Sequence, residues 1–209
     1  MNYLPEFVTV VLIHLLAVMS PGPDFAMISR NSLVYSRKIG IYSALGLALG
    51  IMIHVTYSLV GIGFIISQSI ILFSTIKLLG AAYLIWIGYK SLKAKPVQQS
   101  AERNSQSKVI SRSNAIRMGL LTNALNPKVT LFFLALFTQV INPATPLVLR
   151  IAYGLETSLM TFLWFSFVAT VLSHRKIKER FQAVQHKAEK VFGALLFALG
   201  LKIALSKSR

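Results

Sequence analysis

Apolar residues run along this chain in long blocks, and the polar residues fall almost entirely between them. A membrane-spanning helix needs about 20 predominantly apolar residues. Six blocks read as spans, at about 4–28, 41–64, 70–92, 116–140, 147–172 and 191–205. From Ile39 to Ile76 there is no Asp, Glu, Lys or Arg at all, which suffices for one span and part of a second. The pattern predicts an all-α polytopic membrane protein. Between the third and fourth blocks, residues 93–114 are rich in Ser, Gln, Lys and Arg and hold too few apolar side chains to pack, so they read as a flexible linker. Asn142-Pro143-Ala144-Thr145-Pro146 is a strong turn signal ahead of the fifth block.

The first and fourth blocks are interrupted in the middle. One reads Ser20-Pro21-Gly22-Pro23-Asp24-Phe25, the other Asn126-Pro127-Lys128. Proline lacks the backbone donor and breaks a helix. In lipid such a break is tolerated only where protein or a water-lined cavity satisfies the freed backbone groups. Gly22-Pro23 and Asn126-Pro127 each read as the start of a new half-helix, with Gly or Asn at the N-cap and Pro at the first helical position. Exposed N–H groups at two such starts would attract an anion, and a substrate carboxylate is the natural guest.

Composition sharpens the membrane reading. The 209 residues are 55% hydrophobic and only 13% charged, about half the charge of a soluble domain. The net charge of +16 raises a nucleic-acid reading, but the basic residues sit in short connections, as the positive-inside rule requires. Arg30, Arg37 and Lys38 mark the first connection; seven Lys or Arg from Lys90 to Arg117 mark the third; Arg175, Lys176, Lys178, Arg180, Lys187 and Lys190 mark the fifth. Those loops are expected in the cytoplasm and both termini outside, although Lys202, Lys207 and Arg209 pull the C-terminus the other way. Apolar Ile177, Phe181, Val184 and Ala188 give the fifth loop a helical spacing, for either an interfacial helix or a solvated basic loop. The start of the chain lacks the positive n-region of a cleavable signal, so the first block is expected in the mature protein.

The chain also repeats itself. Lys77-x-x-Gly80-Ala81, followed by apolar residues to Gly88, recurs as Lys190-x-x-Gly193-Ala194 and on to Gly200, and aligning Pro23 with Pro127 sets Asp24 opposite Lys128. This predicts two three-helix repeats, residues 1–92 and 115–209, joined by the linker at 93–114. With three spans each, the repeats must be inverted, a transporter architecture whose interrupted helices mark the binding site.

Asp24 and Lys128 then place opposite charges at the centre of their spans, where each costs roughly 2.5–3.5 kcal/mol on insertion scales. Either they form a site for a small zwitterion, Asp24 toward an ammonium and Lys128 toward a carboxylate, or they pair and lock the halves together. Asp24 is also a candidate for a coupling proton. Glu156 inside the fifth span and His54 inside the second are the other proton-coupling candidates. For Glu156 the alternative is pairing with Arg150 or Lys77; for His54, and for His14, it is a packed, hydrogen-bonded ring. Lys77 either snorkels to an interface or lies on the substrate path. Tyr83, Trp86 and Trp164 read as packing or interfacial residues. Gly46-x-x-x-Gly50 lets helices approach closely, within one protomer or in a homodimer.

These features together, Ser20-Pro21-Gly22-Pro23-Asp24-Phe25, Gly40, Gly46 and Gly50, Lys77-x-x-Gly80-Ala81-x-Tyr83-Leu84 and Asn126-Pro127-Lys128, resemble the LysE/RhtB family of amino-acid exporters over nearly the whole chain. The resemblance implies six spans in two inverted halves, a bacterial inner-membrane location and efflux of amino acids or close derivatives driven by the proton motive force. It implies Pro21, Gly22, Pro23, Asp24, Asn126, Pro127 and Lys128 as shared site elements. An intramembrane enzyme would need a nucleophile with a base or a metal cluster, and the chain has no cysteine, no HExxH and no histidine pair at ligand spacing. No cofactor motif appears, so the expected partners are an amino acid and the bilayer. A non-transporting scaffold would not need matched breaks with charges; within transport, an exporter of a cation or other small metabolite is the alternative.

Overall fold

The structure is a computed structural model describing residues 2–68, 70–93, 110–142 and 144–172, together with 187, 190, 191, 193–198, 200, 201, 204 and 205. Every element among them is helical: α1 (Leu4–Met19), α2 (Pro23–Val34), α3 (Arg37–Gln68), α4 (Ile70–Lys93), α5 (Arg112–Ala124), α6 (Pro127–Ala135) and α7 (Leu147–Leu172). The expected linker and the expected interfacial segment lie largely or wholly outside the described residues.

Both interruptions are real, and their local cause is legible. The residue before a proline is driven out of the helical region. Ser20, ahead of Pro21, is extended at φ −70°, ψ 128°, and Gly22, ahead of Pro23, at φ −176°, ψ −169°. Asn126, ahead of Pro127, sits at φ −79°, ψ 108°. Each break bends its helix pair by 57°. Gly22 and Asn126 are the N-caps, and Pro23 and Pro127 open the new helices, as read from the chain. The first broken segment extends to Val34, past the expected boundary at 28. The fourth starts at Arg112 rather than 116 and ends in a π-helical turn, Leu136–Val140, that the pattern does not predict. There Ile141 N–H reaches back five residues to the Leu136 carbonyl at 3.1 Å. Residues 37–61 of α3 and all of α7 are long and apolar enough to cross a membrane, as is each bent pair taken together.

Glycines set how closely the helices pack. At the crossing of α3 and α5, a Cβ on Gly46 would overlap the Ile116 carbonyl and one on Gly119 the Ser43 carbonyl. Gly46 and Gly50 therefore serve packing within one protomer. The glycines of the repeated motif face one another: a Cβ on Gly88 would lie 2.7 Å from the Gly193 carbonyl, one on Gly193 2.8 Å from the Gly88 carbonyl, and one on Gly200 2.8 Å from the Ala81 carbonyl. The early part of one copy thus meets the late part of the other. α7 joins α3 where Gly154 accommodates Val55 and the Ser158 hydroxyl donates to the Ala48 carbonyl at 2.8 Å.

Polar contacts tie down both ends. Glu6 accepts from the Asn142 N–H at 2.9 Å and the Thr145 hydroxyl at 2.8 Å, so the start of α1 and the turn before α7 share one end. At the other, the Asn31 amide donates to Ser43 at 2.9 Å, and the Arg112 guanidinium lies over the Tyr42 ring at 5.5 Å. Three apolar clusters fill the space between. Val10, Val55, Phe133 and Tyr153 anchor one, Ile28, Leu47, Phe165 and Leu172 a second, and Ala81, Leu84, Ala135 and Leu196 a third.

Candidate functional site

The cavity at the centre of the molecule lies where the three clusters meet. Its walls are Ile51, Leu84, Phe132, Phe133, Phe165 and Leu196, and both helix breaks open into it through Ser20, Gly22, Asp24, Asn126 and Lys128.

The Asp24 carboxylate is buried in the first turn of α2, where the aligned peptide dipoles favour negative charge. Two side-chain amides from the second broken helix hold it, one in the last turn of α5 and one at the break: Asn123 Nδ2 donates to Oδ2 at 2.7 Å and Asn126 Nδ2 to Oδ1 at 3.0 Å. The Lys128 ammonium crosses the other way, donating to Ser20 Oγ at 2.7 Å and to the Pro21 carbonyl at 3.3 Å. Each charge therefore has polar partners in the opposite broken helix, which is how a charge is accommodated at such depth.

Asn126 does two jobs at once. While its amide donates to Asp24, its Oδ1 accepts from the Lys128 backbone N–H at 3.0 Å and caps α6. The expectation that the start of this half-helix presents exposed N–H groups to an anion is corrected here. The Lys128 N–H is taken by the Asn126 side chain and the Val129 N–H by the Asn126 carbonyl at 3.0 Å. What this break offers an anion is the Lys128 side chain.

Asn123 was not among the residues singled out in the chain. Its signal is an amide in the middle of a span, one turn ahead of the break at Asn126. Gly50 makes room for it, since a Cβ there would lie 2.7 Å from both Cβ and Oδ1 of Asn123. With its Nδ2 on Asp24, Asn123 keeps a buried Oδ1 with no hydrogen-bond partner among the described residues, in a side chain that lines the cavity. His54 stands directly behind. Its Nε2 is 3.0 Å from the Asn123 carbonyl, and because a carbonyl only accepts, Nε2 is the donor. Its Nδ1 is 2.6 Å from the Tyr57 hydroxyl, which lies 3.3 Å from the Thr130 carbonyl of α6. The imidazole stacks on Phe133 with ring centroids 5.8 Å apart.

All the residues named from the two breaks thus gather here. Asp24, Gly22, Asn126 and Lys128 line the cavity, Pro21 supplies a carbonyl, and Pro23 and Pro127 start the half-helices. His54 joins them through Asn123. Glu156 does not: it lies in a separate groove with Leu15, Leu159, Met160, Leu163, Trp164 and Phe167.

A fold bent twice around a charged centre is set beside known proteins by sequence. The family model described as "LysE type translocator" matches residues 15–207. This chain belongs to that family. It is a multi-pass membrane protein of the translocator type, in agreement with its apolar helices. An uncharacterized membrane protein of Bacillus subtilis, YrhP, is 34% identical over 90% of this chain and 93% of its own length. The threonine efflux protein of Salmonella typhi is 30% identical over 96% of this chain and 98% of its own. The leucine efflux protein of Klebsiella pneumoniae is 28% identical over 80% and 77%. No solved structure gives a significant match.

Proposed function

We propose that this protein is a secondary transporter of the bacterial inner membrane that exports amino acids or close derivatives, driven by the proton motive force. Six spans in two inverted halves, with both termini outside, are the topology that goes with this reading. The observation that carries it is the pair of broken helices meeting at Asp24 and Lys128, each charge held by the other helix. The names of the threonine and leucine efflux relatives supply the substrate class and the direction.

The chemistry follows from the donors and acceptors. An ionised carboxylate has room for about four hydrogen bonds, and the two amides use two on Asp24. The remaining acceptor capacity suits a substrate ammonium. At Lys128, a substrate carboxylate is a stronger acceptor than the Ser20 hydroxyl or the Pro21 carbonyl and exchanges for them. Binding therefore loosens bonds that now join the two broken helices, the kind of change that lets one half rock against the other.

A proton enters this scheme at Asp24 or His54. With Nε2–H on the Asn123 carbonyl, a neutral His54 accepts the Tyr57 proton at Nδ1, whereas a charged ring donates there and frees that hydroxyl for Thr130. Protonation of His54 would thus be transmitted to α6. Glu156, remote from the centre, is the weaker coupling candidate.

The deciding experiment is overexpression in cells, with efflux measured for a panel of amino acids and analogues, with and without an uncoupler. Efflux of one or more amino acids that collapses with the uncoupler is expected. Uncoupler-insensitive efflux refutes proton coupling; accumulation unaffected by the protein across the panel refutes amino-acid export.

A further inference from the structure

We propose that His14, positioned by Thr161, is the residue with which this transporter distinguishes substrates by a hydrogen-bonding group on the side chain. The proposal rests on the amino-acid reading above and extends it to the part of the substrate that varies.

His14 lies on α1, six residues before the Ser20 that receives Lys128, and it lines the same cavity. It is 1% exposed. One ring nitrogen, Nε2, is 3.4 Å from the Thr161 hydroxyl of α7; the other, Nδ1, is buried with no hydrogen-bond partner among the described residues. Two aromatic neighbours hold the ring, Phe132 and Phe133, each with its centroid 6.0 Å away. A buried polar atom left without a partner is rare in a native fold and calls for a specific explanation. Ile51, Leu84, Phe165 and Leu196 supply apolar wall to the same cavity, whose charged and amide groups, Asp24, Asn123, Asn126 and Lys128, come from the two broken helices, so His14 adds a polar side chain from α1.

The spacing suits a small α-amino acid. Six residues are roughly 9 Å of helix rise. Two hydrogen bonds of about 3 Å each, one at the charged centre and one at His14, leave the width of a short side chain. The protonation state does not change the match. If Thr161 donates to Nε2, then Nδ1 carries the proton and donates; if Nε2 donates to Thr161, then Nδ1 accepts. A hydroxyl satisfies either form, because it both donates and accepts, whereas a methyl in its place leaves Nδ1 buried and unpaired. Sites built to bond a substrate hydroxyl discriminate strongly against the analogue that lacks it.

Threonine and valine, near-isosteres that differ by that hydroxyl, are the test pair, and leucine is a third substrate that reports folding. In proteoliposomes carrying the full chain, counterflow of threonine is expected to exceed that of valine by about tenfold or more. His14→Phe should bring the ratio to within about twofold, while His14→Asn should keep the preference. Thr161→Val, which removes the group that sets the ring, should lower the ratio by a smaller factor. If His14→Phe fails to insert, the contrast between His14→Asn and Thr161→Val decides: preference kept in the first and lowered in the second supports the role. A wild-type ratio near one, or a ratio untouched by His14→Phe or by Thr161→Val, overturns it and assigns Nδ1 to an ordered water. In those cases amino-acid transport itself still stands. A protein that moves none of the three amino acids in either direction overturns both.

Discussion

The two breaks bend their helices by the same 57° and are otherwise built in opposite ways. The first is a three-residue passage, Ser20 to Gly22, extended at both ends, whose glycine N-cap offers no side chain to the helix it opens. What it presents are acceptors: the Ser20 hydroxyl, the Pro21 carbonyl and the Asp24 carboxylate. The second is two residues long, Leu125 and Asn126, and its Asn126 side chain caps the helix it opens. It presents donors: the Asn126 and Asn123 amides and the Lys128 ammonium. Proline sets the bend in both, but the residues beside it set the polarity. Two identical breaks would have placed like groups face to face, and a charge of one sign would have had no partner at this depth. Opposite polarity lets each break satisfy the other, and in the proposed function it gives a zwitterion one pole at each.

The sharpest way to break this complementarity is Asp24→Asn. A carboxamide brings two donors of its own to a place where Asn123 and Asn126 already donate, so no more than one of the two bonds survives. Each hydrogen bond to a charged group contributes about 1.5–3 kcal/mol, and transport should fall by roughly a hundredfold or more. Counterflow in proteoliposomes measures it; unchanged rate and pH dependence would make Asp24 a structural residue only. Lys128→Met should act mainly on apparent affinity, raising the half-saturating concentration by roughly 10–100-fold on the same scale of charge-assisted bonding. If Lys128 faces the carboxylate, Lys128→Arg recovers part of that loss.

Tyr57→Phe probes the second layer. It removes the hydroxyl that lies between His54 Nδ1 and the Thr130 carbonyl. Substrate binding should change by less than about tenfold, within the roughly 0.5–1.5 kcal/mol net contribution of one hydrogen bond. The dependence of efflux on external pH should flatten. A pH profile identical to that of the wild type would remove His54 from the coupling scheme.

Much of this centre could be read from the chain because proline leaves a strong local signal. Pro23 and Pro127 announce where the half-helices begin, and a charge beside each of them, far from any loop, announces a site. Asn123 carries no such mark: an amide inside a helix becomes important only through what a distant residue, Asp24, does with it. The same is true of His14, whose unpaired nitrogen is visible only once Thr161, Phe132 and Phe133 surround it. The π turn at 136–140 is a further case, since nothing in Leu136-Phe137-Thr138-Gln139-Val140 departs from an ordinary apolar helix. Composition could suggest a proton role for Glu156 but could not show which face of α7 would carry it.

Gly50→Ala and Gly22→Ala give the finest comparison, because each adds one methyl group beside one pole of the site. At Gly50 the new Cβ would lie 2.7 Å from Asn123 Cβ, so the helices must separate or Asn123 must move. Overpacking of this kind costs about 1–3 kcal/mol, and because the displaced residue holds Asp24, transport should drop by roughly tenfold along with thermal stability in detergent. At Gly22 the nearest atom to a new Cβ is Lys128 Nζ at 3.7 Å, an ordinary contact, and the backbone at φ −176° is open to any residue. Stability should therefore change by no more than about 0.5 kcal/mol. The methyl would still stand between the two poles, so the largest transported substrates should slow while the smallest do not. An equal loss of stability in both variants would mean that the first break is as tightly packed as the α3–α5 crossing, and the open side of the site would have to be sought elsewhere.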